Sequence, residues 1–257
     1  MICIDSIVTD PYFNLAAEEF MLKHSKEDVF MVWQNEPSVI IGRNQDVQAE
    51  VNLSLAEKKA IKIARRSSGG GAVYDDLGNV NLTFIENSRE PDFSKFSDLM
   101  IDFLSTLGIH AEVDARRGLT VDGLKISGSA QSIFGGRILF HASLLFSTDL
   151  ALLNSILEGK EGALNNLSET RKRSYVKSVK SKVANVAQFL SESMQIDEFK
   201  QLILKNFLGQ DATNRLYVFS EEEKAEILRL KEKKYSTPSW NLWQSNLAGT
   251  YSVNFKT

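Results

Sequence analysis

The sequence predicts an α+β fold in which mixed sheets pack against helices. Short apolar segments typical of strands recur through the first 150 residues, whereas helical spacing of apolar residues dominates afterwards. The chain has 257 residues and is 43% hydrophobic, which is enough to bury a sizeable core. Strands followed by helices, rather than alternating with them, favour this class.

A helix opens the predicted element order. Asp10 is a suitable N-cap and Pro11 suits the first helical position, and apolar residues follow at helical spacing. Two strands come next, at residues 29–33 and 38–42, joined by a turn that contains Pro37. A polar helix is then predicted from about residue 54, and further strands at residues 61–64, 72–74 and 79–85.

The second half begins with an amphipathic helix from Phe96, which Gly108 closes as a C′ residue. Two strands with Gly135 and Gly136 between them follow. The later helices are predicted from an apolar face at Phe199, Leu202, Ile203 and Phe207 and from a capping box that opens at Ser220. Residues 233–249 have the composition of a linker or boundary, and residues 250–257 are compatible with a lone strand.

Composition excludes several classes of protein. The net charge of −3 provides no global attraction for nucleic acid or an anionic membrane, so we expect neither as a partner. No apolar run reaches the length of a membrane span, and the N-terminus carries acids where a signal peptide would be basic. Cys3 is the single cysteine and the three histidines are scattered, which disfavours disulfides and a His-based zinc site. We therefore expect a cytoplasmic protein.

The most unusual segment is "RRSSGGGAVYDDLGNVNLTF", residues 65–84. Consecutive glycines let backbone amides approach a ligand, and Arg65 and Arg66 are suited to bidentate hydrogen bonds with carboxylate or phosphate. The segment fits neither the phosphate-loop nor the GxGxxG pattern. Taken alone, it is equally compatible with a glycine-rich hairpin beside two solvated arginines.

Other segments decide between these interpretations. Residues 65–84 resemble the RRxSGGGAV and LGN signature of lipoate-protein ligases, "VDGLKISGSAQ" resembles the GxKISGSA segment of that family, and "HASLLFSTDL" resembles its HGTLLFxxDL. Two more segments are similar to segments of that family: "VWQNEPSVIIGRNQ" upstream and "VKSVKSKVANV" downstream. The resemblance covers residues 12 to about 190 and continues more weakly to Trp243.

The resemblance implies a biotin/lipoate protein ligase-like catalytic domain, assigned to residues 1–245, with residues 246–257 as a tail or the start of a C-terminal accessory domain. It implies that lipoate and ATP, with Mg²⁺, form lipoyl-AMP and pyrophosphate. The acyl group then moves to a lysine of a carrier, either a glycine-cleavage H protein or an E2 lipoyl domain. The chain would be a short form without the accessory domain, which a second polypeptide would supply if one is needed.

The resemblance also implies the site residues. Lys125 matches the family lysine that contacts the acyl carbonyl and the α-phosphate, and it is the predicted catalytic residue. His141 matches a pocket-lining histidine and is taken as a binding residue, not as a base. The predicted substrate- and nucleotide-binding residues are Arg43, Arg66, Ser68, Gly69, Gly70, Gly71, Ala72, Asn79, Ser127, Gly128, His141 and Ala142. Metal ligands are not predicted.

Two further expectations concern the acceptor lysine and the acyl tail. The acceptor amine must lose a proton before it attacks, and Asp75 or Asp76 is placed to help, although acids in turns are commonly solvated. Trp33, Phe84 and strand valines are candidates for an apolar slot around the dithiolane tail, and ordinary core packing explains them equally well.

The family pattern fails at one motif. Ligases of this family carry RND before GxKISG, and here Arg116 matches while Arg117 and Gly118 stand where Asn and Asp are expected. The loss of a carboxylate suited to Mg²⁺ favours a second hypothesis, a transferase that uses preformed lipoyl-AMP or a lipoylated donor. A transferase with an acyl-cysteine intermediate is disfavoured because Cys3 is far from every motif. A non-catalytic module that binds lipoyl carriers and a biotin ligase are two further hypotheses.

Overall fold

A computed structural model describes residues 1–88, 90–160, 163 and 175–242. Eleven strands and eight α-helices lie in this part of the chain. The strands are β1 Ile2–Asp5, β2 Val29–Trp33, β3 Ser38–Ile41, β4 Lys62–Arg65, β5 Val73–Asp75, β6 Asn79–Asn87, β7 Glu112–Val113, β8 Leu119–Val121, β9 Leu124–Phe134, β10 Arg137–Leu145 and β11 Arg215–Leu216. The helices are α1 Pro11–His24, α2 Val47–Glu50, α3 Leu53–Lys58, α4 Ser94–Thr106, α5 Leu150–Ile156, α6 Ile196–Gly209, α7 Glu221–Leu230 and α8 Pro238–Asn241.

Eight strands form one large mixed sheet in the order β11-β1-β2-β6-β10-β9-β8-β7. β1 is parallel to both of its neighbours, and the remaining pairs are antiparallel. The pairs β6–β10 and β10–β9 form the longest ladders and carry most of the polar side chains of the site. Because side chains alternate across a strand, each of these strands contributes to both faces of the sheet.

One face of this sheet buries an aromatic core under α4 and α6. Phe84 of β6 stacks on Phe96 of α4 with ring centroids 5.1 Å apart, and it meets Phe207 of α6 edge-on at 5.2 Å. Phe140 of β10 lies 5.3 Å from Phe96. Aromatic pairs at these distances add to the stabilisation from burial, so the side chains of this face form part of the hydrophobic core.

The opposite face is covered by α1. Asp10 caps this helix by accepting a hydrogen bond from the backbone of Tyr12, and Pro11 occupies its first turn, as the sequence predicts. Apolar residues of α1 pack against β1 and β2 in a second core, where Ala16 and Met31 are fully buried. The last turns of α7 and the helical segment Lys231–Tyr235 close this layer.

Three strands form a second sheet in the order β4-β3-β5, with β3 parallel to β4 and antiparallel to β5. A third core lies beneath it, formed with α2, α3 and α5. β2 and β3 are consecutive in the chain but lie in different sheets. The glycine loop connects β4 to β5 within this sheet and also contacts the large sheet, because Ser68 Oγ lies within hydrogen-bond distance of His141 in β10.

Most predicted elements are confirmed, with bounds that differ by at most four residues. Gly108 has φ +76° after α4, and Gly135 and Gly136 have φ +57° and +79° between β9 and β10. The capping box at Ser220 is present, with Glu223 as its partner. The strand predicted at residues 250–257 and the boundary at residue 245 lie outside the described residues. No helix in the described part of the chain is long and apolar enough to cross a bilayer.

Candidate active site

A cavity of about 630 Å³ opens between the two sheets. Its polar wall comes from the glycine loop and from β9 and β10, and its apolar wall includes Leu15, Trp33, Ile40, Leu145 and Leu153. Five cationic side chains line it: Arg66, Arg116, Lys125, Lys177 and Lys180. The acidic lining residues are Asp75 and Glu158, so cations outnumber acids in this wall. Such a cavity suits a ligand with an anionic part and an apolar part.

Arg66 organises the glycine loop from within. Its guanidinium donates to the carbonyl of Gly69 at 2.6 Å, to that of Gly71 at 2.7 Å and to that of Ile40 at 3.1 Å. Burial lowers the pKa of Arg66 to about 10, so it stays charged at neutral pH. Because backbone carbonyls occupy these donors, Arg66 does not form the predicted bidentate hydrogen bonds with a ligand. It contributes a fixed positive charge and stabilises the conformation of the loop.

The loop backbone is left open toward the cavity. Gly70 has φ +86°, a conformation that glycine adopts without steric cost. The amide of Ala72 donates to Ser178 Oγ at 2.8 Å. Within the described residues, no group accepts a hydrogen bond from the amides of Gly70 and Gly71. Unpaired amides next to a buried guanidinium are suited to an anion.

Lys125 stands at the start of β9 with its side chain in the cavity wall. Its backbone is held on both sides: its N–H donates to the Lys182 carbonyl at 2.8 Å, and its carbonyl accepts from Ala184 at 3.0 Å. Its ammonium lies 3.7 Å from the Asp114 carboxylate and is partly exposed. The backbone of Lys125 is therefore fixed, while its charged end is in contact with the cavity.

A chain of buried hydrogen bonds connects α1 to the glycine loop through His141. Glu18 of α1 accepts from Thr83 Oγ1 at 2.5 Å and lies 3.0 Å from His141 Nδ1. His141 Nε2 lies 2.8 Å from Ser68 Oγ, which in turn accepts from Arg66 Nε at 3.0 Å. Glu18 is 3% exposed and His141 lines the cavity. This chain fixes the imidazole in the wall, consistent with a binding role.

The two acids of the YDDLG segment have different roles. Asp75 is 1% exposed, lines the cavity and accepts from the amides of Asn35 at 2.8 Å, Asn81 at 3.0 Å and Asn79 at 3.1 Å. Burial raises the pKa of Asp75 to about 6, against the opposing effect of these amides. Asp76 instead accepts from the backbone N–H groups of Gly78 and Asp149, as a turn residue does.

Arg65 does not face the cavity, contrary to the expectation that it binds an anion. Its side chain is fully buried and donates to the carbonyls of Gly42 at 2.9 Å and Gln45 at 2.8 Å, and to the carbonyls of Trp240 and Asn241 in α8. Its role is structural, because it joins β4 to the chain far downstream.

Residues 175–184 form one side of the cavity. Gln45 donates to the carbonyl of Val176 and to Ser178 Oγ, both at 3.0 Å, and Glu50 accepts from the backbone of Ser178 and from the Tyr175 hydroxyl. These bonds fix the segment that resembles the downstream family motif. They place Lys177 and Lys180 in the cavity wall.

The structure brings most predicted site residues together. Those that line the cavity are Arg66, Gly70, Gly71, Ala72, Lys125, Ser127, Gly128, His141 and Ala142. The others lie behind the wall or beside it: Ser68 and Gly69 bond to Arg66, Asn79 bonds to Asp75, and Arg43 is exposed. Trp33 lines the cavity, but Phe84 lies in the aromatic core on the other face of the sheet, so its assignment to the apolar slot is wrong.

Sequence reasoning missed Glu18, Asn35, Asn81, Gln45 and Glu50. Glu18 interrupts the apolar stripe of α1. A carboxylate at a buried position normally requires polar partners, so this interruption is the sequence signal that could have identified Glu18. Among the described residues, no group of three or more His, Cys, Asp or Glu side chains is placed to hold a metal ion.

Comparison with known proteins decides the family. The profile described as "Lipoyl protein ligase A/B catalytic domain" matches residues 10–208. The chain belongs to this family. Lipoate–protein ligase 1 of Staphylococcus aureus is 37% identical over 239 residues, which are 91% of this chain and 70% of that protein. Lipoate-protein ligase LplJ of Bacillus subtilis is 34% identical over 93% of this chain and 72% of its own length. A human mitochondrial lipoyl amidotransferase is 40% identical over 161 residues, which are 60% of this chain and 43% of that protein.

Solved structures of the ligase family share the architecture. A Thermoplasma acidophilum lipoate protein ligase with bound lipoic acid has a TM-score of 0.75 at 26% identity and covers 94% of this chain and 98% of its own. A bi-partite ligase from the same organism, described with its E2 lipoyl domain, has a TM-score of 0.76 at 27% identity, with 94% and 95% covered. Lipoate-protein ligase A bound with ATP has a TM-score of 0.75 at 28% identity, with 94% and 99% covered. The predicted family, fold and ligase class of enzyme are confirmed.

Proposed function

We propose that the cavity carries out both steps of protein lipoylation: it activates lipoate with ATP and transfers the lipoyl group to a lysine of a carrier protein. The observation that supports this most directly is the cationic wall around Lys125, which faces open loop amides and adjoins an apolar wall. Related ligases are described with lipoic acid or with ATP bound, which favours the same ligands here.

In the first step, a lipoate carboxylate oxygen attacks the α-phosphorus of ATP, and pyrophosphate leaves. Both reactants are anionic, so the site must neutralise their repulsion and the charge that develops on the phosphoryl oxygens. Lys125 supplies a mobile ammonium and Arg66 a fixed guanidinium. The amides of Gly70 and Gly71 are suited to hydrogen-bond the developing charge.

In the second step, the neutral amine of the carrier lysine attacks the acyl carbonyl, and AMP leaves. Lys125 again stabilises the developing oxyanion. Asp75 is the proposed proton acceptor because, of the two neighbouring acids, it is the one that lines the cavity, and its raised pKa brings it toward working pH. The apolar side chains Leu15, Trp33 and Ile40 would surround the dithiolane tail.

The partners and setting follow from the same chemistry. We propose an E2 lipoyl domain or a glycine-cleavage H protein as the acceptor, in the cytoplasm; the bi-partite relative described with its E2 lipoyl domain favours the former. Mg²⁺ would arrive with ATP and take most of its ligands from phosphate oxygens and water, as this ion commonly does.

The proposed function is tested with the purified chain and an acceptor whose intact mass is measured. One reaction contains lipoate with Mg-ATP, and a second contains synthetic lipoyl-AMP. We expect the acceptor to gain one lipoyl group in both reactions. A gain with lipoyl-AMP alone would establish a transferase that needs another polypeptide for adenylation, and no gain with either carrier would contradict the proposal.

Lys125→Ala is the first variant to measure. We expect lipoyl transfer to fall by at least about a hundredfold, because removing one group that stabilises the transition-state charge commonly has this effect. Thermal unfolding should stay close to that of the wild type, since the side chain is partly exposed. A folded variant with unimpaired transfer would remove Lys125 from the mechanism.

A second candidate function is acyl transfer without adenylation. Gly118 stands where the family pattern has an aspartate, and one relative is a lipoyl amidotransferase. A lipoylated donor protein mixed with unmodified acceptor, without ATP, tests this activity. Movement of the lipoyl mass between the two proteins would support it.

A further inference from the structure

Residues 114–118 form a tight turn beside the Lys125 side chain. Asp114 organises this turn, because its Oδ1 accepts from the backbone N–H of Arg116 at 2.7 Å and of Gly118 at 2.8 Å. Its other oxygen, Oδ2, lies 3.7 Å from Lys125 Nζ. The turn is also tied to β9, since Ser129 Oγ donates to the Arg117 carbonyl at 2.7 Å. One carboxylate oxygen thus shapes the turn while the other faces the ammonium.

The charge state of Asp114 suits this arrangement. Partial burial alone would raise its pKa, but the N–H groups of Gly118 and Arg116 and the charge of Lys125 outweigh it and lower the pKa below its usual value. The group is therefore a carboxylate at neutral pH. Arg116 and Arg117 are the other charged residues of the turn, and Arg116 Nη1 contacts the Val179 carbonyl at 3.5 Å.

Gly118 makes the approach of Lys125 possible. A Cβ atom built at this position would lie 2.8 Å from Lys125 Nζ and 2.6 Å from the Ser127 carbonyl oxygen. Both distances are shorter than real Cβ contacts, so a side chain here would force the lysine to move.

We propose that Asp114 is a positioning residue for Lys125, and that its carboxylate keeps the ammonium directed into the cavity. This inference rests on the proposed function of Lys125. The contact is long and both side chains are partly exposed, so the pair is weak. An incoming phosphate can therefore draw the ammonium away at little cost.

Two substitutions separate this role from turn formation. In Asp114→Asn, the amide oxygen can still accept from the backbone of residues 116 and 118, but the charge is lost. In Asp114→Ala, both the hydrogen-bond acceptor and the charge are lost. If Asp114 positions Lys125, both variants lower kcat for pyrophosphate release by about tenfold, because small displacements of a catalytic group have large effects. The KM for lipoate should stay nearly constant. If Asp114 only shapes the turn, Asp114→Asn keeps the wild-type kcat.

Asp211→Asn is the matched control. Asp211 also accepts from the backbone and hydroxyl of a residue two positions later, Thr213, but it lies in an exposed turn far along the chain. We expect wild-type kinetics from this variant. Gly118→Ala changes no charge and should lower kcat as Asp114→Asn does, since it displaces the same ammonium.

Amine labelling of the ligand-free protein gives a readout that does not need activity. Reductive methylation followed by peptide mass spectrometry measures the labelling of Lys125 relative to exposed Lys224. We expect this ratio to rise severalfold in Asp114→Asn, because the Lys125 ammonium is then no longer held beside the carboxylate and is more accessible to the reagent. An unchanged ratio overturns the positioning role. If the wild-type chain proves inactive, the proposed function fails and this ratio alone decides the inference.

Discussion

Asp75 combines two properties that normally exclude each other, since it is a carboxylate and is almost completely buried. Three asparagine amides and the nearby Arg66 compensate its charge. Their compensation is partial, because the pKa of Asp75 still rises from 3.8 to about 6. The folded protein therefore binds this proton more tightly than the unfolded chain does.

This difference predicts a pH dependence of stability. A raised pKa in the folded state contributes stability that is fully present below about pH 4 and is lost as the pH rises through 6. The free energy of unfolding of the wild type, relative to that of Asp75→Asn, should fall by about 1 to 2 kcal/mol between pH 5 and pH 8. Urea denaturation at several pH values measures it. Parallel pH profiles for the two proteins would show that Asp75 does not titrate in this range.

At this scale, the sequence predicted which residues lie in one cavity better than which contacts each of them makes. Lys125 and His141 were identified from motifs, and both line the cavity. Arg65 and Arg66 are adjacent and chemically identical, yet one binds the carbonyls of α8 and the other those of the glycine loop. Adjacent residues on a strand point to opposite faces, but which face borders the cavity depends on contacts far away in sequence.

The glycine loop is the element whose local conformation matters most. Gly70→Val should abolish lipoate binding, because φ +86° is unfavourable for a β-branched residue and the new Cβ would lie 3.0 Å from the Arg66 guanidinium. Isothermal titration calorimetry with lipoate measures the effect.

The adjacent glycine supplies a matched control for that experiment. A Cβ at Gly69 meets nothing within 4 Å, and its φ is not in the left-handed region. Gly69→Ala should therefore bind lipoate with near wild-type affinity. Unchanged affinity in both variants would mean that the loop is only a turn.

The extents of elements were largely predictable, whereas their pairing was not. Caps, turn glycines and apolar spacing located α1, α4 and the β9–β10 hairpin to within a few residues. The same signals could not reveal that β2 and β3 belong to different sheets, because both read as short apolar strands. Partner choice is a tertiary property and leaves no local signal in so short a strand.

For the whole molecule, Arg65 joins parts of the chain that are about 175 residues apart. Arg65→Lys should lower the free energy of unfolding by about 2 to 4 kcal/mol, since lysine cannot reach several carbonyls at once and would leave buried acceptors unpaired. Urea denaturation gives the value. Arg229→Lys is the control, because Arg229 is half exposed and pairs with Glu226 at the surface, where such pairs contribute little. Equal decreases in the free energy of unfolding of the two variants would contradict a structural role for Arg65.

The division between the two faces of the large sheet has a consequence for how such a protein can diversify. Along β10, Phe140 and Leu144 belong to the aromatic core, while His141 and Ser143 face the cavity. Along β6, Leu82 and Phe84 lie in the same core, while Asn81 lines the cavity. Selection for a different acyl chain can therefore change the cavity-facing positions of these strands and leave the side chains of the aromatic core unchanged. A library at residue 143 would explore new substrates at less cost to stability than changes at residues 81 and 141, whose side chains bond to the buried carboxylates of Asp75 and Glu18.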